Sequence, residues 1–254
     1  MKQELRILWL YPGILNLHGD RGNAMALVRV CGQIGVEPIL TRVDRLEDPI
    51  GWEAADLILI GPGELAVMDA VVGALTPYAS QFAELVDTGT PVFVTGASAA
   101  IVARETLRTD SSRIPGLGLT DMAVIEREEI FGDDLILDAD GQELGGMQIR
   151  TTDLRLDPGQ SPFATVMYGV GNADHADLEG ARRSNLVVTD LLGPALTKNP
   201  WFTRRLIDQA LVRRYGEASS ASDQDLWALE RTSAGVVRDF NAAKTIVPGT
   251  LRRL

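Results

Sequence analysis

The chain has 254 residues, of which 45% are hydrophobic and 23% are charged, and its formal net charge at pH 7 is −11. This length and composition allow a substantial hydrophobic core in one large or two small domains. The excess of acidic residues argues against non-specific binding to nucleic acid or to an anionic membrane surface. No apolar run reaches the roughly 18 residues that a membrane-spanning helix needs. Because Cys31 is the single cysteine, an internal disulfide and a multi-cysteine metal site are excluded, and we expect a cytoplasmic protein.

The first half of the chain alternates short apolar runs with helical patterns. Strands are predicted from the apolar runs at residues 5–10, 36–42, 56–60 and 92–95. The run at 56–60 is almost continuously apolar, which is typical of a parallel strand covered on both faces. Helical periodicity extends over about 24–34, with Cys31 facing the core, and over about 67–87, where Pro77 should break the helix. This alternation predicts an α/β fold with a mostly parallel sheet flanked by helices.

The pattern changes after Glu105. Short alternating runs over residues 120–170 predict antiparallel hairpins that extend the sheet. Turns are expected at residues 132–134, 138–141 and 157–159. A loop over 169–185 should lead to a last strand at 186–189 and then to a helix over about 199–215.

The domain is predicted to end near residue 216. We expect residues 1–216 to form one domain, and residues 217–254 to hold a linker, a C-terminal helix and a tail. Ser222 or Asp223 is the expected cap of that helix, because short polar side chains accept hydrogen bonds from the first free N–H groups. The tail is expected over 244–254.

Residues 91–100, with the sequence PVFVTGASAA, predict a buried strand, a sharp turn of small residues and the start of a helix. In α/β enzymes, such a strand-to-helix turn presents a nucleophile. Gly96 takes the tightest position of this turn and has no side chain that could react. Ser98 is an alternative nucleophile in a G-x-S-x-A pattern, although its position favours a helix cap.

Other polar positions give weaker signals. Gly61-Pro62-Gly63 follows a predicted parallel strand and would either donate a backbone N–H to an oxyanion or form only a tight turn. His18 and His175 lie in predicted loops, where a turn or solvent-exposed role is expected. The glutamates near position 128 are not spaced as metal ligands, and no metal or cofactor is expected.

Several segments together resemble one known family. The run from Leu10 to Asn23, LYPGILNLHGDRGN, is similar to the N-terminal signature of the glutaminase subunit of lipid II isoglutaminyl synthase. That family belongs to the cobyric-acid-synthase-like branch of class I glutamine amidotransferases. Further similarity is found at residues 56–63, 169–172, 179–180 and 193–200. The resemblance covers about residues 4–215 and implies a flavodoxin-like class I glutamine amidotransferase fold.

The resemblance also implies a chemistry that this chain lacks. In the family, a cysteine on the turn after the fourth strand attacks glutamine, and a histidine before a Gly-Pro pair acts as base. By position, the cysteine is replaced by Gly96 and the histidine by Leu192, and residues 146–150 replace a Glu-Asn-His segment. The substrate-binding positions are expected at Gly61, Gly63, Ala97 and Arg127. In the family, the ammonia passes to a Mur-ligase-like partner, which amidates the D-glutamate of the peptidoglycan stem.

The expected function is therefore that of a non-catalytic subunit that binds a Mur-ligase-like protein. Two alternatives are an active glutaminase or amidase that uses Ser98 or another group, and a sensor of a glutamine-like metabolite. The family segments at 15–23 and 193–200 follow strand ends, where they would form a docking surface that includes Asp20 and Arg21. In the competing interpretation, Asp20 and Asn23 are only turn or cap residues.

Overall fold

The computed structural model describes residues 3–222 and 226–243. Its strands are β1 (Glu4–Leu10), β2 (Glu37–Val43), β3 (Leu57–Ile60), β4 (Val92–Thr95), β5 (Glu105–Leu107), β6 (Arg113–Pro115), β7 (Met122–Ala139), β8 (Gln142–Leu156), β9 (Ala164–Tyr168), β10 (Leu178–Glu179), β11 (Ala181–Arg183) and β12 (Leu186–Thr189). Its helices are α1 (Arg21–Gln33), α2 (Met68–Leu75), α3 (Ala79–Asp87), α4 (Ala99–Val102), α5 (Ala195–Lys198), α6 (Pro200–Tyr215) and α7 (Ala228–Ala243).

The first sheet has the strand order β11-β12-β4-β3-β1-β2. Its strands are parallel except β11, which pairs antiparallel with β12 at one edge. Successive side chains point to opposite faces, so Ile58 and Ile60 pack with α2 and α3, whereas Leu57 and Leu59 pack with α1 and α6. Both faces are therefore covered, which confirms the prediction of a parallel sheet flanked by helices.

The helix boundaries agree with the predicted break at Pro77 and with the predicted start of a helix near residue 199. A short 3₁₀ turn over Thr76–Tyr78 separates α2 from α3, so the helix is interrupted at Pro77 as expected. Pro200 is the first residue of α6, where its missing N–H leaves no intrahelical hydrogen bond unmade.

The strands β5 to β10 form a second sheet, which is antiparallel except for the parallel pair β5 and β7 and is separate from the first. Its order is β10-β9-β7-β5-β6, with β8 also paired to β7. The turn predicted at residues 138–141 closes the long β7–β8 hairpin. The turn predicted at 132–134 is wrong, because these residues pair with residues 147–149 of β8 and stay extended. The predicted loop over 169–185 is also partly wrong, since it contains β10 and β11.

The C-terminal helix α7 lies beside α1 and contacts β8 of the second sheet. The buried Trp227 precedes it, and Glu230 accepts a hydrogen bond from Arg29 at 2.9 Å. Ser222 lies six residues before the helix begins and does not cap it, while Asp223 and the predicted tail lie outside the described residues. No helix in the described ranges is long and apolar enough to cross a membrane.

Candidate functional site

The predicted strand-to-helix turn is present at the carboxyl end of β4. Gly96 follows Thr95 with φ +59°, a left-handed conformation that favours glycine, and a 3₁₀ turn over Gly96–Ser98 leads into α4. A Cβ placed on Gly96 would lie 3.0 Å from Cβ of Pro62 and 3.6 Å from Cδ2 of Leu192. The turn therefore has the backbone conformation of a nucleophile position but little free space for a side chain.

Leu192 occupies the other side of this turn. Its backbone N–H donates to the Met147 carbonyl at 2.7 Å, and its carbonyl accepts from the Met147 N–H at 3.2 Å. This pairing fixes Leu192 against β8, and its buried side chain reaches the space beside Gly96. The two positions assigned from the resemblance thus come together in space. An alkyl side chain cannot accept a proton, so this arrangement holds no general base.

Ser98 is not placed to act as a nucleophile. Its hydroxyl is fully buried and donates to the carbonyl oxygen of Gly61 at 2.6 Å. The expected helix cap is also wrong, because this side chain makes no capping hydrogen bond to α4. Through its hydrogen bond to Gly61, Ser98 connects the end of β3 to the turn after β4.

Both histidines, His18 and His175, are exposed and lie outside the α-helices and strands.

The Gly61-Pro62-Gly63 turn is shaped by close packing. A Cβ on Gly61 would lie 2.3 Å from Oδ2 of Asp20 and 2.4 Å from the carbonyl oxygen of Leu15. One on Gly63 would lie 2.6 Å from Cδ2 of Leu15. Glycine is required at both positions for this packing, as the tight-turn interpretation expects.

Asp20 is the polar group buried beneath this turn. Its side chain is 3% exposed, and Oδ1 accepts hydrogen bonds from Asn23 and, at 3.3 Å, from the Thr95 hydroxyl. Oδ2 has no hydrogen-bond partner in the described part of the chain. Burial raises the pKa of Asp20 to about 7. The prediction that Asp20 contributes to an exposed docking surface is therefore wrong, and its structural alternative is favoured.

The two family segments at 15–23 and 193–200 contact each other directly. Oδ1 of Asn23 accepts from the Leu196 N–H at 2.8 Å, and the Thr197 hydroxyl donates to the Gly22 carbonyl at 2.9 Å. A Cβ on Gly22 would lie 2.3 Å from Cγ of Pro194. Much of the sequence similarity in these segments therefore has a packing reason.

Arg127, a predicted substrate-binding residue, is already paired. Its Nη1 donates to Asp153 at 2.7 Å and to Asp174 at 3.1 Å. The guanidinium group is thus engaged by two carboxylates of the protein itself. Ala97 lies in the turn next to Gly96, but the structure shows no contact between Arg127 and that turn.

A buried acidic network lies at the end of β12, and the sequence analysis did not find it. Glu179 accepts hydrogen bonds from the Thr189 hydroxyl at 3.0 Å and from the Asp190 N–H at 2.6 Å. Burial, together with the charge of Asp190, raises the pKa of Glu179 to about 8, and burial raises the pKa of Asp190 to about 6. The fully buried Arg150 pairs with Asp153 and has its Nε 4.0 Å from Oδ2 of Asp190. The described residues hold no cluster of three or more His, Cys, Asp or Glu suited to a metal ion.

Two characterised proteins are similar to this chain over most of its length. One is the lipid II isoglutaminyl synthase (glutamine-hydrolyzing) subunit GatD of Streptococcus pneumoniae, which is 24% identical over 217 residues, or 84% of this chain and 83% of the relative. The GatD subunit of Staphylococcus aureus is 24% identical over 212 residues, or 83% of this chain and 86% of the relative. No family model matches the chain.

Solved structures identify the fold. One glutamine amidotransferase covers 80% of this chain and 98% of its own, with a TM-score of 0.54 and 20% identity. The chain has the fold of a class I glutamine amidotransferase. For a second amidotransferase, from Thermotoga maritima, the match covers 92% of this chain and 95% of the other, with a TM-score of 0.50 and 14% identity.

Proposed function

We propose that this chain is a non-catalytic, GatD-like subunit that binds a Mur-ligase-like protein. The observation that carries the proposal is the pairing of Gly96 with Leu192, whose Cδ2 would lie 3.6 Å from a Cβ at position 96. Covalent glutamine hydrolysis needs a nucleophile and a base within hydrogen-bond reach, and this pair supplies neither. The chain keeps the amidotransferase fold around the altered positions.

The surrounding groups also support a non-catalytic role. The Ser98 hydroxyl is committed to the Gly61 carbonyl, and Arg127 is committed to Asp153 and Asp174. A glutamine substrate would have to displace protein carboxylates to reach this guanidinium. These contacts argue against both the Ser98 hydrolase and the glutamine-sensor alternatives.

A partner is supported by the relatives and by exposed apolar residues near the altered turn. Both relatives are named as subunits of a synthase. Ile14, Leu17 and Met25 are 39%, 36% and 49% exposed, and they lie between β1 and the first turns of α1. With the exposed Arg21 and Lys198, they form a surface that we call the docking rim. An apolar patch with a polar border is the usual arrangement of a protein interface.

The docking rim can be tested by co-purification with a Mur-ligase-like protein from the same genome. Leu17→Glu and Arg21→Glu should each weaken the complex by roughly tenfold. The first variant loses an apolar contact, and the second reverses a charge of the docking rim. Binding is measured by titration calorimetry, with a melting curve for each variant.

The matched control is Val212→Glu, which adds the same charge at a 48% exposed apolar residue of α6. It should leave the complex unchanged. Asp20 is unsuitable for this test, because a charge reversal at a buried carboxylate would destabilise the fold itself. Unchanged binding by both rim variants would remove this surface from the interface. Glutamine binding to the protein without a partner would favour the metabolite-sensor alternative.

A further inference from the structure

A small cleft lies at the end of the first sheet opposite to the Gly96 turn. It has a volume of about 140 Å³ and is formed by residues near β11, the start of β12 and α6. The lining residues that matter are Phe163, Arg182, Ser184, Phe202, Arg205 and Gln209. Thr189, at the carboxyl end of β12, pairs with Thr95 beside the turn, whereas the cleft adjoins the amino end of β12. The cleft is therefore separate from the candidate site.

Two arginines that line the cleft, Arg182 and Arg205, share one acceptor, Asp140, which is not itself a lining residue. Nη1 of Arg182 donates to Oδ2 of Asp140 at 2.6 Å, and Nη2 of Arg205 donates to the same oxygen. Two nitrogens that share one acceptor lie within about 6 Å of each other. One carboxylate offsets only one of the two positive charges, so the group keeps a net positive charge on a chain whose net charge is −11.

The rest of the lining combines polar and apolar groups. The rings of Phe163 and Phe202 lie with centroids 5.5 Å apart and, at 4% and 3% exposure, contribute a small apolar part of the cleft lining. The Gln209 amide and the Ser184 hydroxyl make no hydrogen bond with any other described residue. Each arginine has five N–H donors, of which Asp140 takes only a part. The cleft thus offers donors, positive charge and an apolar surface at one place.

We propose that this cleft binds a small organic acid, namely a carboxylate attached to a short apolar or aromatic group. The carboxylate would accept from the Arg182 and Arg205 guanidinium groups, as Asp140 already does. The apolar group would lie against Phe163 and Phe202. The volume is below the roughly 300–1,000 Å³ of pockets for drug-sized ligands, so only a small acid fits. This proposal is independent of the proposed function, because no residue of the Gly96 turn takes part.

The test is a ligand-observed NMR titration of the full chain with benzoate, with neutral benzamide and with inorganic phosphate at constant ionic strength. Benzoate should bind, and benzamide and phosphate should each bind at least roughly tenfold more weakly. Arg182→Gln and Arg205→Gln should weaken benzoate binding by roughly tenfold. Arg213→Gln, a matched change on the same helix but outside the cleft, should leave it unchanged.

Asp140→Asn should have the opposite effect on the affinity for benzoate. It removes the carboxylate that competes for both guanidinium groups, so benzoate should bind several-fold more tightly. Asp140 has φ +57°, a conformation that asparagine also tolerates, and melting curves check that the fold is kept. Equal binding of benzamide or phosphate, absent benzoate binding, or weaker binding to Asp140→Asn would each overturn the proposal.

Discussion

The purified protein should release no ammonia from glutamine above background, either alone or with its partner. Gly96 has no side chain, Leu192 cannot transfer a proton, and the Ser98 hydroxyl already donates to the Gly61 carbonyl at 2.6 Å. Removal of a nucleophile and its base lowers the rate of covalent catalysis by several orders of magnitude. The measurement is a coupled ammonia assay at saturating glutamine. Ammonia release that Ser98→Ala eliminates would contradict this prediction and favour the hydrolase alternative.

Restoring the missing groups is expected to give a folded but weakly active or inactive protein. In Gly96→Cys with Leu192→His, a side chain enters a backbone with φ +59° and meets Cβ of Pro62 at 3.0 Å. The strain should lower the free energy of unfolding by about 1–3 kcal/mol. Little activity is expected, because Arg127 remains paired with Asp153 and Asp174.

The matched control for restoration is Gly96→Ala with Leu192→His, which carries the same backbone strain without the thiol. Denaturant unfolding should show similar destabilisation of both double variants. Robust glutaminase activity that only the cysteine variant shows would mean that the rest of the pocket is intact. In that case the proposed loss of function would reside in two side chains alone.

The parts of the fold that the sequence predicted are those set by local pattern. The run at 57–60 is apolar throughout because both faces of β3 are covered, and Pro77 interrupts the helix through its own ring. The strands β10 and β11 were missed because they have only two and three residues and lie among turn residues. Each pairs with the strand next to it in the chain, β10 with β9 and β11 with β12, but two or three residues are too few to show an alternating pattern.

The candidate site was predicted unevenly for a similar reason. The short interval between Pro91 and Gly96 was enough to place the turn, but only the resemblance pointed to Leu192, which is distant in sequence. The burial of Asp20 could not be predicted, since aspartate is usually exposed. It is buried because Gly61 leaves space for its carboxylate, a contact between residues far apart in the chain.

Stability should fall as the pH rises from about 5 to about 8. The pKa values in the folded protein are about 8 for Glu179, about 7 for Asp20 and about 6 for Asp190, against ordinary values of 4.5 for Glu and 3.8 for Asp. Between the ordinary and the raised values, the folded state holds more protons than the unfolded state, so the free energy of unfolding decreases with pH. Each unit of pKa difference corresponds to about 1.4 kcal/mol, which predicts a total loss of several kcal/mol.

Variants that mimic the protonated acids separate this effect from other titrations. Glu179→Gln and Asp20→Asn should be more stable than the unchanged protein at pH 8 and similar to it at pH 5. Each amide keeps an oxygen for the existing donors, namely the Asp190 N–H at Glu179 and the Asn23 and Thr95 groups at Asp20. Urea unfolding at both pH values gives the measurement, and Glu84→Gln, at an exposed carboxylate, is the control. If neither buried variant reduces the dependence of the free energy of unfolding on pH, these carboxyl groups are ionised in the folded protein. Their charge is then offset by Arg150 or by solvent.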